Sequence, residues 1–74
     1  EIFVLEFNDA LNFAKVAYEI GNRHQPVEIE KNKITVLDDI SLQDIIRDCF
    51  KNDAIKVEKT QGYFKPNGKA HHSH

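Results

Sequence analysis

The sequence predicts an α+β fold in which a four-stranded antiparallel sheet carries two helices on one face. Apolar runs of strand length flank two segments of helical periodicity, and a polar turn divides two further strand-like runs in the middle. The resulting order is βαββαβ, the split βαβ arrangement of ferredoxin-like folds.

Ile2 to Phe7 is apolar on both alternating sets, with Glu6 the only interruption, so it reads as a central strand covered on both faces. Asn8 is the expected cap of the helix that follows, with Asp9 in its first turn facing the helix dipole. Leu11, Ala14 and Tyr18 recur at helical spacing, and Phe13, Val16 and Ile20 widen that face. Gly21 is the expected left-handed stop. Val27-Glu28-Ile29-Glu30 alternates as a half-exposed strand, Lys31-Asn32-Lys33 turns, and Ile34-Thr35-Val36-Leu37 returns as its partner. Ser41 is expected to open the second helix, with Asp44 completing a variant capping box. Leu42, Ile45, Ile46, Cys49 and Phe50 then fall at i, i+3, i+4, i+7 and i+8, the cleanest amphipathic signal in the chain. Asn52-Asp53 ends it, and Ala54 to Thr60 forms the last strand with Ile55 and Val57 inward. Residues 1–60 make one domain, and residues 61–74 a flexible tail with histidines, for which Tyr63 and Phe64 are candidate anchors.

A chain of 74 residues buries only about 60% of its unfolded surface, so a partner subunit or a metal is a plausible source of extra stability. One cysteine excludes an internal disulfide and points to a reducing compartment, the cytoplasm. Cys49, inside the apolar pattern, reads as a buried filler. No run approaches the roughly 18 apolar residues needed to span a membrane, and a formal charge of −2 without a basic stripe argues against nucleic acid. The chain starts without methionine, directly on a strand, as a fragment of a longer protein would.

Three of the four histidines, His71, His72 and His74, crowd the last four residues. Such a tract reads as metal binding, and imidazole suits borderline transition ions. A purification-tag remnant is the competing account, although Ser73 interrupts the run. His24 stands apart, at a helix end. One imidazole holds a metal poorly, but a twofold dimer would bring two copies of His24 to one ion. The twelve residues from Thr60 to His72 span up to ~40 Å extended, enough to reach across such an interface.

Gly21-Asn22-Arg23-His24 closing a helix, after Tyr18-Glu19-Ile20, resembles the metal-binding domain of the UreE family of urease accessory nickel chaperones. The βαββαβ order and the tail, Phe64-Lys65-Pro66 and then His72-Ser73-His74, are similar too, so the resemblance spans essentially the whole chain. It implies a non-enzymatic carrier that delivers Ni(II) for urease active-site assembly, with the ion held at a homodimer interface. His24 would be the ligand given once by each subunit, His72 and His74 a second and more mobile source, and His71 an adjacent candidate. Gly21, Asn22 and Arg23 would shape the loop, Arg23 as a donor to backbone or carboxylate. The implied partners are a second copy, the urease accessory GTPase and the urease apoprotein complex, with copper and zinc as alternative ions. Residues 34–38 lack the histidines some members carry after the hairpin, and Asp38 is a poor substitute. The short tail argues against storage of many ions, and the start at Glu1 leads to the expectation that the family's separate N-terminal domain is missing from this fragment. The alternative is a ferredoxin-like ligand- or RNA-binding module without metal function. An RNA binder would need exposed aromatics with basic neighbours on its central strands, whereas Glu1 and Glu6 flank Phe3 and Phe7. Catalysis would need a phosphate loop or a nucleophile with a paired base, and neither is evident.

Overall fold

The computed structural model describes residues 1–67. It contains β1 (Ile2–Phe7), α1 (Ala10–Asn22), β2 (Glu28–Glu30), β3 (Lys33–Leu37), a 3-10 turn (Ile40–Leu42), α2 (Gln43–Phe50) and β4 (Ile55–Thr60). The strands form one antiparallel sheet in the order β2-β3-β1-β4. The predicted α+β, ferredoxin-like class therefore holds.

The register explains how the core forms. Phe3 lies between Val36 and Lys59, Leu5 between Ile34 and Val57, and Phe7 beside Ile55. Side chains alternate along a strand, so these residues share one face. Phe3, Leu5, Phe7, Ile34, Val36 and Ile55 join Val16 and Ile20 of α1 and Ile45, Ile46 and Cys49 of α2 in a single apolar cluster. Both helices thus cover the same face. Phe7 meets Phe13 edge-on at 5.3 Å, and Phe3 meets Phe50 at 6.5 Å.

Several local expectations shift by a residue or two. Asp9, not Asn8, caps α1, its carboxylate accepting the Asn12 N–H at 3.0 Å. Asp39, not Ser41, starts the second helical segment: it accepts the Ser41 N–H at 2.8 Å and the Ser41 hydroxyl at 2.6 Å. One 3-10 turn therefore precedes α2. In α1 the buried stripe is Val16 and Ile20 with Phe13 and Ala17 beside it. Leu11 and Tyr18, expected inward, are 69% and 70% exposed. Phe50, expected in the core, is 60% exposed.

The sheet's other face is crossed by residues 61–67. Ile2 points away from the helices yet is buried, and Gly62 lies so close that a Cβ there would sit 3.4 Å from Ile2 Cδ1. The chain leaves β4 at one edge of the sheet and reaches β2 at the other. There the Asn67 main-chain N–H donates to Val27 O at 3.0 Å. Asn67 Oδ1 accepts the Ile29 N–H at 2.7 Å, and Asn67 Nδ2 donates to Ile29 O at 2.9 Å. The Lys65 N–H adds a bond to Glu28 Oε1 at 3.0 Å.

Cys49 is buried within α2, and that burial pushes its thiol up to about 11. At pH 7.5 the thiolate fraction is then below about 0.1%, against about 10% for an exposed cysteine. Native protein should accordingly react with an aromatic disulfide reagent at least a hundred-fold more slowly than urea-unfolded protein; equal rates would show that the helix opens readily around Cys49.

Candidate metal centre

The end of α1 is built differently from its sequence signal. Gly21 lies inside the helix, and among the described residues no glycine has a positive φ. A Cβ at Gly21 would meet nothing within 4 Å. The helix continues through Asn22, and Arg23 closes it, its N–H directed at the carbonyls of Ile20 and Gly21. His24 takes the left-handed position instead, with φ 59°, and its N–H donates to Gly21 O at 3.0 Å. This is the geometry in which a helix normally ends on glycine. A β-carbon makes that conformation cost about 1–2 kcal/mol, although histidine is among the residues found there more often. His24 is thus held at a surface corner by backbone that a glycine would adopt more easily.

Arg23 anchors this corner to the other helical segment. Its Nη1 donates to Ser41 O and to Asp44 Oδ1 at 3.0 Å, and its Nη2 to Asp44 Oδ2 at 2.9 Å. A two-pronged guanidinium–carboxylate pair fixes orientation as well as distance. The Asp44 carboxyl is pulled down to about 2, chiefly by the Arg23 hydrogen bond. Because its folded value lies below its unfolded one, the pair's stabilisation is complete above about pH 4 and fades as pH falls toward 2. The corner consequently stays braced throughout the range in which imidazoles titrate. Asp44, read from sequence as part of a capping box, is this brace, and only an i-to-j pairing across 21 residues would have shown it.

Along the outward side of α1, Leu11 and Tyr18 are exposed, as is Ala14 between them. At a spacing of three and four they line one stripe of α1. Asp38 is engaged elsewhere: with Glu1 it brackets Lys59, at 3.3 and 3.5 Å, and Lys59 in turn sits 5.6 Å over the Phe3 ring. Among the described residues, no group of three or more His, Cys, Asp or Glu side chains converges. His71, His72 and His74 lie outside the described residues. Among the described residues His24 is the one histidine, on an exposed corner just past the end of α1.

The whole chain, residues 1–74, matches the family described as "UreE urease accessory protein, C-terminal domain". It is 76% identical over 74 residues to the urease accessory protein UreE of Aliarcobacter butzleri, covering 100% of this chain and 50% of that protein. It is 37% identical over 65 residues to the protein of the same name from Alcanivorax borkumensis, covering 86% of this chain and 37% of the relative. The protein of that name from Prochlorococcus marinus is 32% identical over 74 residues, covering 100% of this chain and 46% of its own length. The chain thus spans about half the length, or less, of the curated relatives it matches.

The strained corner yields a stability test. His24→Gly and His24→Ala both remove the imidazole, and only the alanine variant keeps the β-carbon, so the glycine variant should be the more stable of the two by about 0.5–1 kcal/mol in thermal unfolding. A glycine variant that melts below the alanine variant would show that the left-handed corner stores no such strain.

Proposed function

The chain belongs to the UreE urease accessory protein C-terminal domain family, a family of accessory proteins and not of enzymes, and on that footing we propose that it carries Ni(II) for assembly of the urease active site. The ion is the cargo. His24 from each of two subunits forms the fixed pair of ligands, and His72 and His74 of the tail, with His71 adjacent, form a second set. Gly21, Asn22 and Arg23 shape the corner that presents His24. The partners are a second copy of the chain and, for delivery, the urease accessory GTPase and the urease apoprotein complex, in the cytoplasm. Among the described residues no helix is long and apolar enough to cross a membrane.

The observation that supports the reading is the exposed apolar stripe on α1, the helix that leads into the His24 corner. Burying Leu11 and Tyr18 against a second copy would remove exposed apolar surface that a small domain otherwise leaves in water. A twofold contact along this helix pairs each residue near the axis with its mate, and the helix's last corner is His24. Two imidazoles then meet one ion where each subunit alone supplies one. Nitrogen donors suit Ni(II), and they suit copper and zinc as well, so selectivity would come from geometry and supply. A surface corner also leaves the ion reachable by an acceptor. The RNA-binding alternative loses its aromatic platform, because Phe3 and Phe7 face the helices and are buried in the core.

Imidazole must give up its extra proton to ligate, so nickel binding followed by isothermal titration calorimetry should be much weaker at pH 5 than at pH 7.5. The Arg23–Asp44 brace remains charged over that interval, so the loss is attributable to the ligands. His24→Ala should abolish the shared site at pH 7.5, and deleting residues 71–74 should weaken binding or remove extra ions while the dimer persists. Equal affinity at the two pH values would exclude histidine ligation.

Tyr18→Asp places a charge on the α1 stripe without touching the core. Sedimentation should then show a monomer with unchanged circular dichroism and with nickel affinity lowered as far as by His24→Ala. A dimer that survives this substitution would place the subunit contact elsewhere.

A further inference from the structure

We propose that the cleft between α2 and the free edge of β4 is a docking surface for a partner protein, from which it takes an extended acidic segment carrying one aromatic side chain. The surface goes beyond the metal reading and shares no lining residue with α1 or the His24 corner.

Helical spacing builds one wall. Gln43, Ile46, Arg47, Phe50 and Lys51 fall at i, i+3, i+4, i+7 and i+8, one flank of α2 and its cap. Phe3 of β1 and Lys59 of β4, partners in the sheet, form the facing side together with Asp38 and Asp39. The cleft encloses about 430 Å³, room for an organic side group. Its apolar part is Phe3, Ile46 and Phe50. Phe50 stands edge-on to Phe3 at 6.5 Å and stays 60% exposed. An aromatic ring seated against it would turn that exposed surface into buried contact.

The charges select the partner. Both acids of the cleft are engaged: Asp38 holds Lys59 at 3.3 Å, and Asp39 accepts the Ser41 N–H and hydroxyl. Of the three cations, Lys59 is bracketed by Asp38 and Glu1. Arg47 reaches only the exposed Asp48, at 3.7 Å, and Lys51 has no ion pair among the described residues. Arg47 and Lys51 are four residues apart and thus neighbours on the helix surface. They form a cationic rim beside the Phe50 ring, complementary to carboxylates that flank an aromatic side chain.

The main chain of β4 favours an extended segment over a small anion. The Phe7 N–H donates to Asn32 O at 2.9 Å and the Asp38 N–H to Glu1 O at 3.2 Å, so odd-numbered residues of β1 turn their main-chain groups toward β3. Ile2, Val4 and Glu6 therefore face β4, opposite Thr60, Glu58 and Lys56. Val57 and Lys59 are left with N–H and C=O directed at the open edge, where among the described residues no further strand pairs. A partner segment can add itself to that edge and place alternate side chains into the cleft that Lys59 lines.

The chain has no tryptophan, so the probe acetyl-Asp-Asp-Trp-Asp-Asp-amide reports through its own fluorescence. Added to the 74-residue chain, it should show a saturable blue shift, and acetyl-Lys-Lys-Trp-Lys-Lys-amide should bind about ten-fold more weakly or worse. Phe50→Ala and the double variant Arg47→Glu with Lys51→Glu, all at exposed positions, should each cost about ten-fold with unchanged circular dichroism. The acidic probe N-methylated at alternate amides should bind more weakly than its parent. His24→Ala should leave peptide binding intact, which separates this surface from the metal site. No saturable shift, equal affinity for the acidic and basic peptides, or indifference to the cleft variants would overturn the proposal. An N-methylated probe that binds as well as its parent would overturn the strand pairing. Displacement of the probe by a short oligouridylate would make the rim a nucleic-acid contact and overturn the protein partner.

Discussion

The structure hangs on β1, which has a strand hydrogen-bonded along each edge and both helices on one face. A strand so placed cannot slip by one residue without turning Phe3, Leu5 and Phe7 away from the helices. Everything at the His24 corner inherits its position from that constraint. The register fixes the sheet, the sheet fixes where Val16 and Ile20 must lie, and those two residues fix the rotation of α1. Once α1 is rotated this way, its opposite stripe and its terminal corner have nowhere to go but the surface.

The alternation in β1, the hairpin and the spacing of Leu42, Ile45, Ile46 and Cys49 were legible because each is set by nearest-neighbour periodicity. What was not legible turns on choices between chemically similar neighbours. Asn8 and Asp9 are both good caps, as are Asp39 and Ser41, and only the path of the following turn selects one. Leu11 and Tyr18 fit the helical period as well as Phe13 and Val16 do, so sequence alone could not divide a broad apolar band into a core half and an exposed half. Gly21 carried the strongest stop signal in the chain, yet the helix runs through Asn22 and the left-handed turn falls three residues later, at His24. The Arg23–Asp44 and Asn67–Ile29 pairs are contacts across 21 and 38 residues, beyond any local pattern.

The misplaced stop is also the most informative discrepancy. A chain with a glycine three residues earlier uses a histidine where glycine fits best. Strain of this kind persists when the surroundings hold it, and here they do: the Gly21 carbonyl takes the His24 N–H, and the neighbouring guanidinium is tied to α2. The corner is thus rigid in backbone while its side chain stands at the surface. On the proposed reading this combination suits a carrier, because a ligand fixed in space lowers the entropy lost on binding and a ligand at the surface can still surrender its ion.

Two demands then converge on α1. A domain this small gains little from its own core, and leaving Leu11 and Tyr18 in water adds an apolar surface that favours self-association. On the proposed reading, covering that stripe with a second copy supplies burial and the second imidazole in one step. On the same reading neither subunit needs a complete metal site of its own. An ion shared in this way is held by few permanent donors. On that reading, retention and release both depend on how firmly the twofold contact holds the two His24 corners together.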